Sequence, residues 1–247
     1  MNKIAYPLSL LGALAVASLL LMPLERVLPL PLPALAVRLV GTIQPALLML
    51  AFTALGAWLA PKVGLDAPLV RAGMEKRPLK PILRDQGPAA LLLGLAMAAV
   101  LLVYGAFYGS KLAVGSAAAG AGLEIPLITR ILYGGIVEEL MLRWGVMSLF
   151  VWLAWKVSRS GGGRVPAWCY WLGLSLSSLL FAAGHLPVLF ALQASPSAEL
   201  VGAILIGNSI GGMLFGWLFW RRGLEAAMMA HALAHLFAAA AAAAFSF

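Results

Sequence analysis

The chain has 247 residues, of which 63% are apolar and only 11% charged, with a mean hydropathy of +0.98. A soluble domain is about 45–50% apolar and about 25% charged, and at this length roughly a quarter of the unfolded chain's surface stays exposed after folding and needs polar cover. Water as the main solvent is therefore excluded, as are the disordered, collagen-like and disulfide-framework classes. Cys169 is the single cysteine and can form no internal disulfide. The net charge of +8 would suggest nucleic acid in a soluble protein. In this chain it reads as Lys and Arg retained on the cytoplasmic side of a membrane, with no nucleic-acid partner.

About 20 apolar residues cross a hydrocarbon core. Seven segments qualify: Ile4–Leu24, Leu39–Ala60, Pro88–Tyr108, Pro126–Trp155, Pro166–Leu192, Leu200–Trp220 and Leu224–Phe247. Strand-type alternation is absent, which excludes a membrane β-barrel. The expected fold is all-α: a polytopic membrane helix bundle of seven to eight transmembrane helices, forming one integral-membrane domain over residues 1–247. The first segment opens on Lys3 and carries Ala15-Val16-Ala17, as signal peptides do. Its apolar run continues through Leu21, so a retained anchor is expected. Pro61–Gly87 holds six basic residues with no apolar period and reads as a solvated basic loop near anionic headgroups. Ser110–Ile125 leaves room for an eighth short or re-entrant helix, and Ser158–Arg164 reads as a flexible connector. The sixth span carries Gly207-x-x-x-Gly211 and Gly212-x-x-x-Gly216, which suit close helix packing. Twelve of the 17 basic residues fall in the N-terminus, the 61–87 loop and the connections after the fourth and sixth spans. With seven spans, this puts the N-terminus in the cytoplasm.

Polar residues inside the spans carry the functional signal. A charged group at the bilayer centre costs at least about 2.5–3.5 kcal/mol on insertion scales. Of nine acidic residues, only Glu138 and Glu139 lie deep within a span, and all three histidines (His185, His231, His235) are within spans. Glu139 and Arg143 are spaced i, i+4 and can pair. Glu138 points about 100° away on an α-helix, which leaves it free for chemistry unless all three form one static network. Gly184 and Pro187 flank His185 and suggest a loosened helix. His231 and His235 share one helix face, at a spacing that can chelate a metal. A carboxylate with imidazoles in a low-dielectric cavity is a kit for activating water. The imidazoles could donate to an oxyanion or bind a metal. Asn208 is a candidate for a hydrogen bond into the site.

Glu138-Glu139-x-x-x-Arg143, Phe181-x-x-x-His185 and His231-x-x-x-His235, in that order on successive hydrophobic segments, resemble the CPBP family of intramembrane proteases, which includes the CAAX prenyl endopeptidases. The resemblance implies a protease core over 126–247 and cleavage of a membrane-anchored protein or peptide, in CAAX-type processing or a bacterial analogue of it. Glu138 would activate the water, His185 would assist, and His231 and His235 would hold the oxyanion. Glu139, Arg143 and Phe181 would support them. Members have been described both as metal-free glutamate proteases and as metalloproteases, so zinc on His185, His231 and His235 is the alternative. The location implied is a bacterial inner membrane.

Two other classes remain in view. A proton- or cation-coupled transporter would show inverted repeats with broken helices in matching positions, and no such symmetry is visible. A non-catalytic membrane scaffold would tolerate Glu138→Gln. Depth poses a separate problem. From the ends on the basic side, Glu138 lies about 27 Å from Lys156 and His185 about 28 Å from Pro166, whereas His231 lies about 10 Å from Leu224, at ~1.5 Å per residue. Straight parallel spans do not bring His231 to Glu138. Either the helices project beyond the bilayer, or they break near Gly145 and Gly173, or their bounds differ.

Overall fold

The computed structural model describes residues 3–26, 30–114, 125–158, 163–193 and 195–245, and these form an all-helical bundle. Helix α1 is Ala5–Val16, continued by a 3-10 segment Ala17–Leu21, and α2 is Ala34–Leu59. A short α3, Pro68–Met74, precedes the long α4, Lys80–Val114. The fifth helix, α5, begins as α-helix over Leu127–Thr129, is π-helical over Arg130–Met147 and returns to α-helix over Ser148–Val157. Then come α6 (Ala167–Ala183), α7 (Leu186–Leu192), α8 (Ala198–Arg222) and α9 (Leu224–Phe245). Local chemistry sets several of these bounds. Pro33, Pro126 and Pro166 stand in extended conformation immediately before α2, α5 and α6. Ser197 caps α8 by accepting a hydrogen bond from the Leu200 amide at 3.2 Å.

Among the described residues, five helices are long and apolar enough to cross a membrane: Ala34–Val63, Lys80–Gly109, Ala167–Ala191, Ala198–Arg222 and Leu224–Ala244. The first apolar helix, Ala5–Leu21, is shorter, and α5 is interrupted by Arg130, Glu138, Glu139 and Arg143. Large apolar side chains cover the outside, among them Leu39, Ile43 and Leu47 of α2, Leu91 and Leu92 of α4 and Ile206 of α8. Apolar surface on that scale is matched by lipid and not by water. The chain is an integral membrane protein.

One expectation is refined, and two fall largely outside the described residues. The extra helix considered for Ser110–Ile125 falls mostly on residues outside those described, as does much of the Ser158–Arg164 connector. The 61–87 segment is folded and not an irregular solvated loop. Val63, Leu65, Ala67 and Ala72 are buried. The Leu224 amide donates to Asp66 O at 3.0 Å and the Val70 amide to Glu225 Oε1 at 2.8 Å. Gln86 donates to Arg222 O at 2.7 Å, and Arg222 pairs with Asp85. The segment thereby grips the α8–α9 corner. Gly223 supplies the turn at φ +100°, where a side chain would also overlap the Pro68 ring.

The depth problem is solved by obliquity. His231, Gly216 and Gly173 lie six or seven residues from the Leu224, Arg222 and Ala167 ends of their helices. They meet α5 at Glu139, Met147 and Val151 respectively, a stretch of twelve residues along α5. Thus α5 crosses its neighbours at a slant. Gly145 and Gly173 are not hinges but points of close approach: a Cβ on Gly145 would lie 2.7 Å from Phe52 Cβ, and one on Gly173 would lie 3.0 Å from the Val151 amide. The paired glycine motifs of α8 also serve packing, Gly211 against Met97 of α4 and Gly212 against Ser178 of α6.

A clamp ties the end of α1 to α2. The Arg38 guanidinium donates to both oxygens of Glu25, at 2.9 and 2.7 Å, and to Leu20 O at 3.2 Å. These bonds hold the Glu25 carboxyl well below its ordinary value, down to about 2. A lowered carboxyl stabilises above its unfolded value and loses that contribution as pH falls through its folded value. The clamp should stay ionised from neutrality down to about pH 2, which carboxyl chemical shifts of the detergent-solubilised protein can check. A second expectation concerns Gly56, where a Cβ would overlap the Trp144 indole and backbone. Gly56→Ala should lower stability by about 1–3 kcal/mol through overpacking. Gly87→Ala, with open space around it, should be neutral or stabilising by up to about 1 kcal/mol. Thermal unfolding of the two variants side by side checks both.

Candidate active site

The site forms where α5 meets α9, with α6 and α8 closing over it. A π-helix bonds i to i+5 and is wider than an α-helix, so each residue turns the chain through less than 100°. Successive residues still diverge by nearly a quarter-turn, and Glu138 and Glu139 share a partner because the two ring nitrogens of His231 face one each. His231 Nδ1 lies 2.9 Å from Glu139 Oε1, and its Nε2 lies 3.9 Å from Glu138 Oε2. Glu139 is also paired with Arg143, Nε to Oε2 at 3.3 Å, and neither side chain has any exposed surface. Glu138 keeps 20% of its side chain exposed.

Aromatic rings fix these groups. The Arg143 guanidinium lies over Phe181, 4.9 Å from the ring centroid. Phe181 meets His185 edge-on at 4.8 Å and His231 at 6.2 Å. Phe215 of α8 stacks on His231, with centroids 4.6 Å apart and planes 20° apart. The His231 and His235 rings are 5.1 Å apart.

Hydrogen-bond partners settle the direction of two imidazoles. The Phe181 carbonyl can only accept, so His185 Nδ1, 2.9 Å away, carries the proton and Nε2 is left as an acceptor. The ionised Glu139 beside Arg143 accepts from His231 Nδ1–H, which turns Nε2 into the site. The Nε2 atoms of His231 and His235 converge over Gly134, each 3.2 Å from the place a Cβ would take there. The absent side chain of Gly134 makes the space into which both Nε2 atoms face, and Glu138 Oε2 lies 3.9 Å from that of His231.

Helix α6 ends at Ala183, and His185 occupies the break before α7, in keeping with the loosened helix its neighbours suggested. Asn208 donates its amide to Ile204 O of its own helix at 2.9 Å, and no bond from it to the histidines exists among the described residues. A three-ligand metal cage is not assembled either. No three His, Cys, Asp or Glu side chains are grouped to hold an ion among the described residues, so the zinc set His185, His231 and His235 does not fit as it stands. Three site residues escaped the sequence reading. Gly134 and Arg130 lie four and eight residues before Glu138 on one stripe of α5, a pattern visible in the sequence. Phe215 carried no signal, because its partner is 16 residues away on another helix.

The fold and site thus define a polytopic membrane protein with a buried carboxylate–imidazole cluster. Residues 121–237, which include all three motifs, match the family described as Type II CAAX prenyl endopeptidase Rce1-like, and so bear out the resemblance to the CPBP family. The family is one of peptidases. No curated protein and no solved structure matches the chain significantly.

Breaking a buried ion pair by removing one partner typically costs about 3–5 kcal/mol. Glu139→Ala and Arg143→Ala should therefore both unfold at clearly lower temperature than wild type. Glu138→Ala, which breaks no hydrogen bond among the described residues, should change the midpoint little. Differential scanning fluorimetry in detergent checks the contrast.

Proposed function

We propose that the protein is an intramembrane endopeptidase that hydrolyses a peptide bond of a membrane-anchored protein or peptide, of the lipidated C-terminal type named in its family. The observation that carries the reading is the convergence of the Nε2 atoms of His231 and His235 over Gly134, with Glu138 Oε2 3.9 Å from the first of them. Glu138, partly exposed, takes a proton from a water as the oxygen attacks the scissile carbonyl carbon. His185 Nε2, an acceptor, helps orient that water. His231 and His235 donate from Nε2 to the oxyanion, with Glu139 receiving the Nδ1–H of His231 and stabilising the imidazolium that a donor at both nitrogens requires. The proton held by Glu138 passes to the leaving nitrogen as the C–N bond breaks, giving a carboxylate and an amine. Glu139, Arg143, Phe181 and Phe215 position His231 and touch no reacting atom. The bilayer supplies the substrate in two dimensions. The distribution of basic residues favours a cytoplasmic N-terminus, and the family resemblance a bacterial inner membrane.

The test is cleavage of membrane-anchored and prenylated peptides by the detergent-purified protein. Glu138→Gln should lower kcat by roughly 10²–10⁴-fold, the usual range for a general base, with the thermal midpoint unchanged. Activity that survives a zinc chelator supports the glutamate mechanism, and activity abolished by it would make the histidines metal ligands. Full activity of Glu138→Gln would overturn the role of Glu138, and a wild type that cleaves none of the peptides would overturn the peptidase reading. Gly134→Ala should also lower kcat, because its methyl group would stand in the space the two imidazoles share.

A further inference from the structure

Two tryptophan–lysine pairs stand at the basic end of the bundle, on two different helices. Trp58 lies at the end of α2, with Lys62 one turn on in the 3-10 segment Ala60–Val63 that continues it. Trp152 and Lys156 have the same spacing in the last turns of α5. Each ammonium sits over its own indole. Lys62 Nζ is 3.7 Å from the Trp58 ring centroid and Lys156 Nζ is 5.7 Å from that of Trp152, with Trp155 at 5.8 Å. The packing of α2 on α5 brings the two motifs together, with the Trp58 and Trp152 rings 6.1 Å apart and tilted by 43°. One indole platform is thus flanked by two cations from distant parts of the chain.

Neither charge is balanced within the protein. A ring face attracts an ammonium without neutralising it, and no carboxylate pairs with Lys62 or Lys156 among the described residues. The neighbouring acids of this end are engaged elsewhere, Asp66 by Arg71, Glu75 by Arg77, Asp85 by Arg222 and Glu225 by the Val70 amide. Both lysines are exposed, as is Trp58, at 57%. Beyond the platform the surface is apolar. Ile43 and Leu47 are exposed on α2, and Leu153 on α5. Cations over amphipathic rings at the rim of a lipid-facing surface belong at the headgroup level of a bilayer.

We propose that the Trp58–Trp152 platform is a binding site for one anionic phospholipid, with its phosphate between Lys62 and Lys156 and an acyl chain along the outward faces of α2 and α5. The ammonium groups act as point charges on the phosphate, and basic recesses between membrane helices suit anionic headgroups. The rings hold the two lysines in place beforehand, so less side-chain freedom is lost when the lipid binds. The bound lipid ties the end of α2 to α5, the helix that carries Glu138, and adds to the contact of Gly56 with Trp144. The site lies apart from the reacting groups and does not depend on the peptidase reading.

The experiment titrates the detergent-purified protein with phosphatidylglycerol, phosphatidylcholine or soluble glycerol 3-phosphate. Native mass spectrometry counts the retained molecules, and fluorimetry reads the thermal midpoint. Wild type should retain one phosphatidylglycerol about 10-fold or more tightly than phosphatidylcholine, and its midpoint should rise with that lipid. Lys62→Gln and Lys156→Gln should each weaken phosphatidylglycerol roughly fivefold, the value of one cation at a membrane surface. The double variant should bind the two lipids alike while keeping the lipid-free midpoint of wild type. Lys76→Gln combined with Lys80→Gln removes the same charge from exposed positions and should leave the preference unchanged. Equal retention of the two lipids by wild type would overturn the proposal. Equal loss in the two double variants would overturn it by assigning the preference to overall charge. Glycerol 3-phosphate bound as tightly as phosphatidylglycerol would overturn it by making the platform a site for a free phosphate.

Discussion

A carboxylate and a guanidinium with no exposed surface, Glu139 and Arg143, sit at the centre of this bundle, and everything around them is arranged to keep them there. A charge without a partner in a low-dielectric interior is among the costliest defects a protein can carry. Glu139 answers Arg143 on one side and His231 on the other, and Phe181 covers the guanidinium. His231 is thereby placed with one nitrogen engaged and the other turned to the reaction space. The ion pair orders the imidazole, and the imidazole orders the site.

That arrangement needs backbones in close approach along the whole of α5. Gly56, Gly134, Gly135, Gly145 and Gly173 each remove a side chain where α5 meets a neighbour. The slant of α5 follows, since small residues on several helices let it cross them. The same slant lets His231, near one end of α9, reach Glu139, far from the end of α5. His231 does the rest, meeting two consecutive glutamates through its two ring nitrogens.

The N-terminal part of the chain lies outside the family match and still bears on the chemistry. Asp66, Val70, Asp85 and Gln86 hold the corner between α8 and α9 from its far side. They anchor the first turn of α9, two turns before His231, and α4 then runs beside α9, with Gly94 against Leu233 and Ala230. A segment that composition describes only as basic is therefore part of the frame that sets the imidazoles.

Much of this was legible in the residues. Hydropathy identified the lipid-embedded helices because burial in a bilayer leaves a composition that nothing else explains. The histidines and deep glutamates stood out because lipid makes them expensive, and the i, i+4 pairing of Glu139 with Arg143 follows from helical spacing. The fate of Glu138 was not legible: helical spacing sends it away from Glu139, and only the placement of α9 puts a ring nitrogen of His231 near each. Phe215 was invisible, since stacking is decided by which helices become neighbours. The zinc alternative on His185, His231 and His235 was equally compatible with spacing, which cannot tell two converging nitrogens from three. The sequence by itself determined the solvent, the helices and the inventory of reactive groups, because these depend on composition and local period. The tertiary structure alone decided the slant of α5 and the convergence over Gly134, because those depend on how closely separate helices can approach.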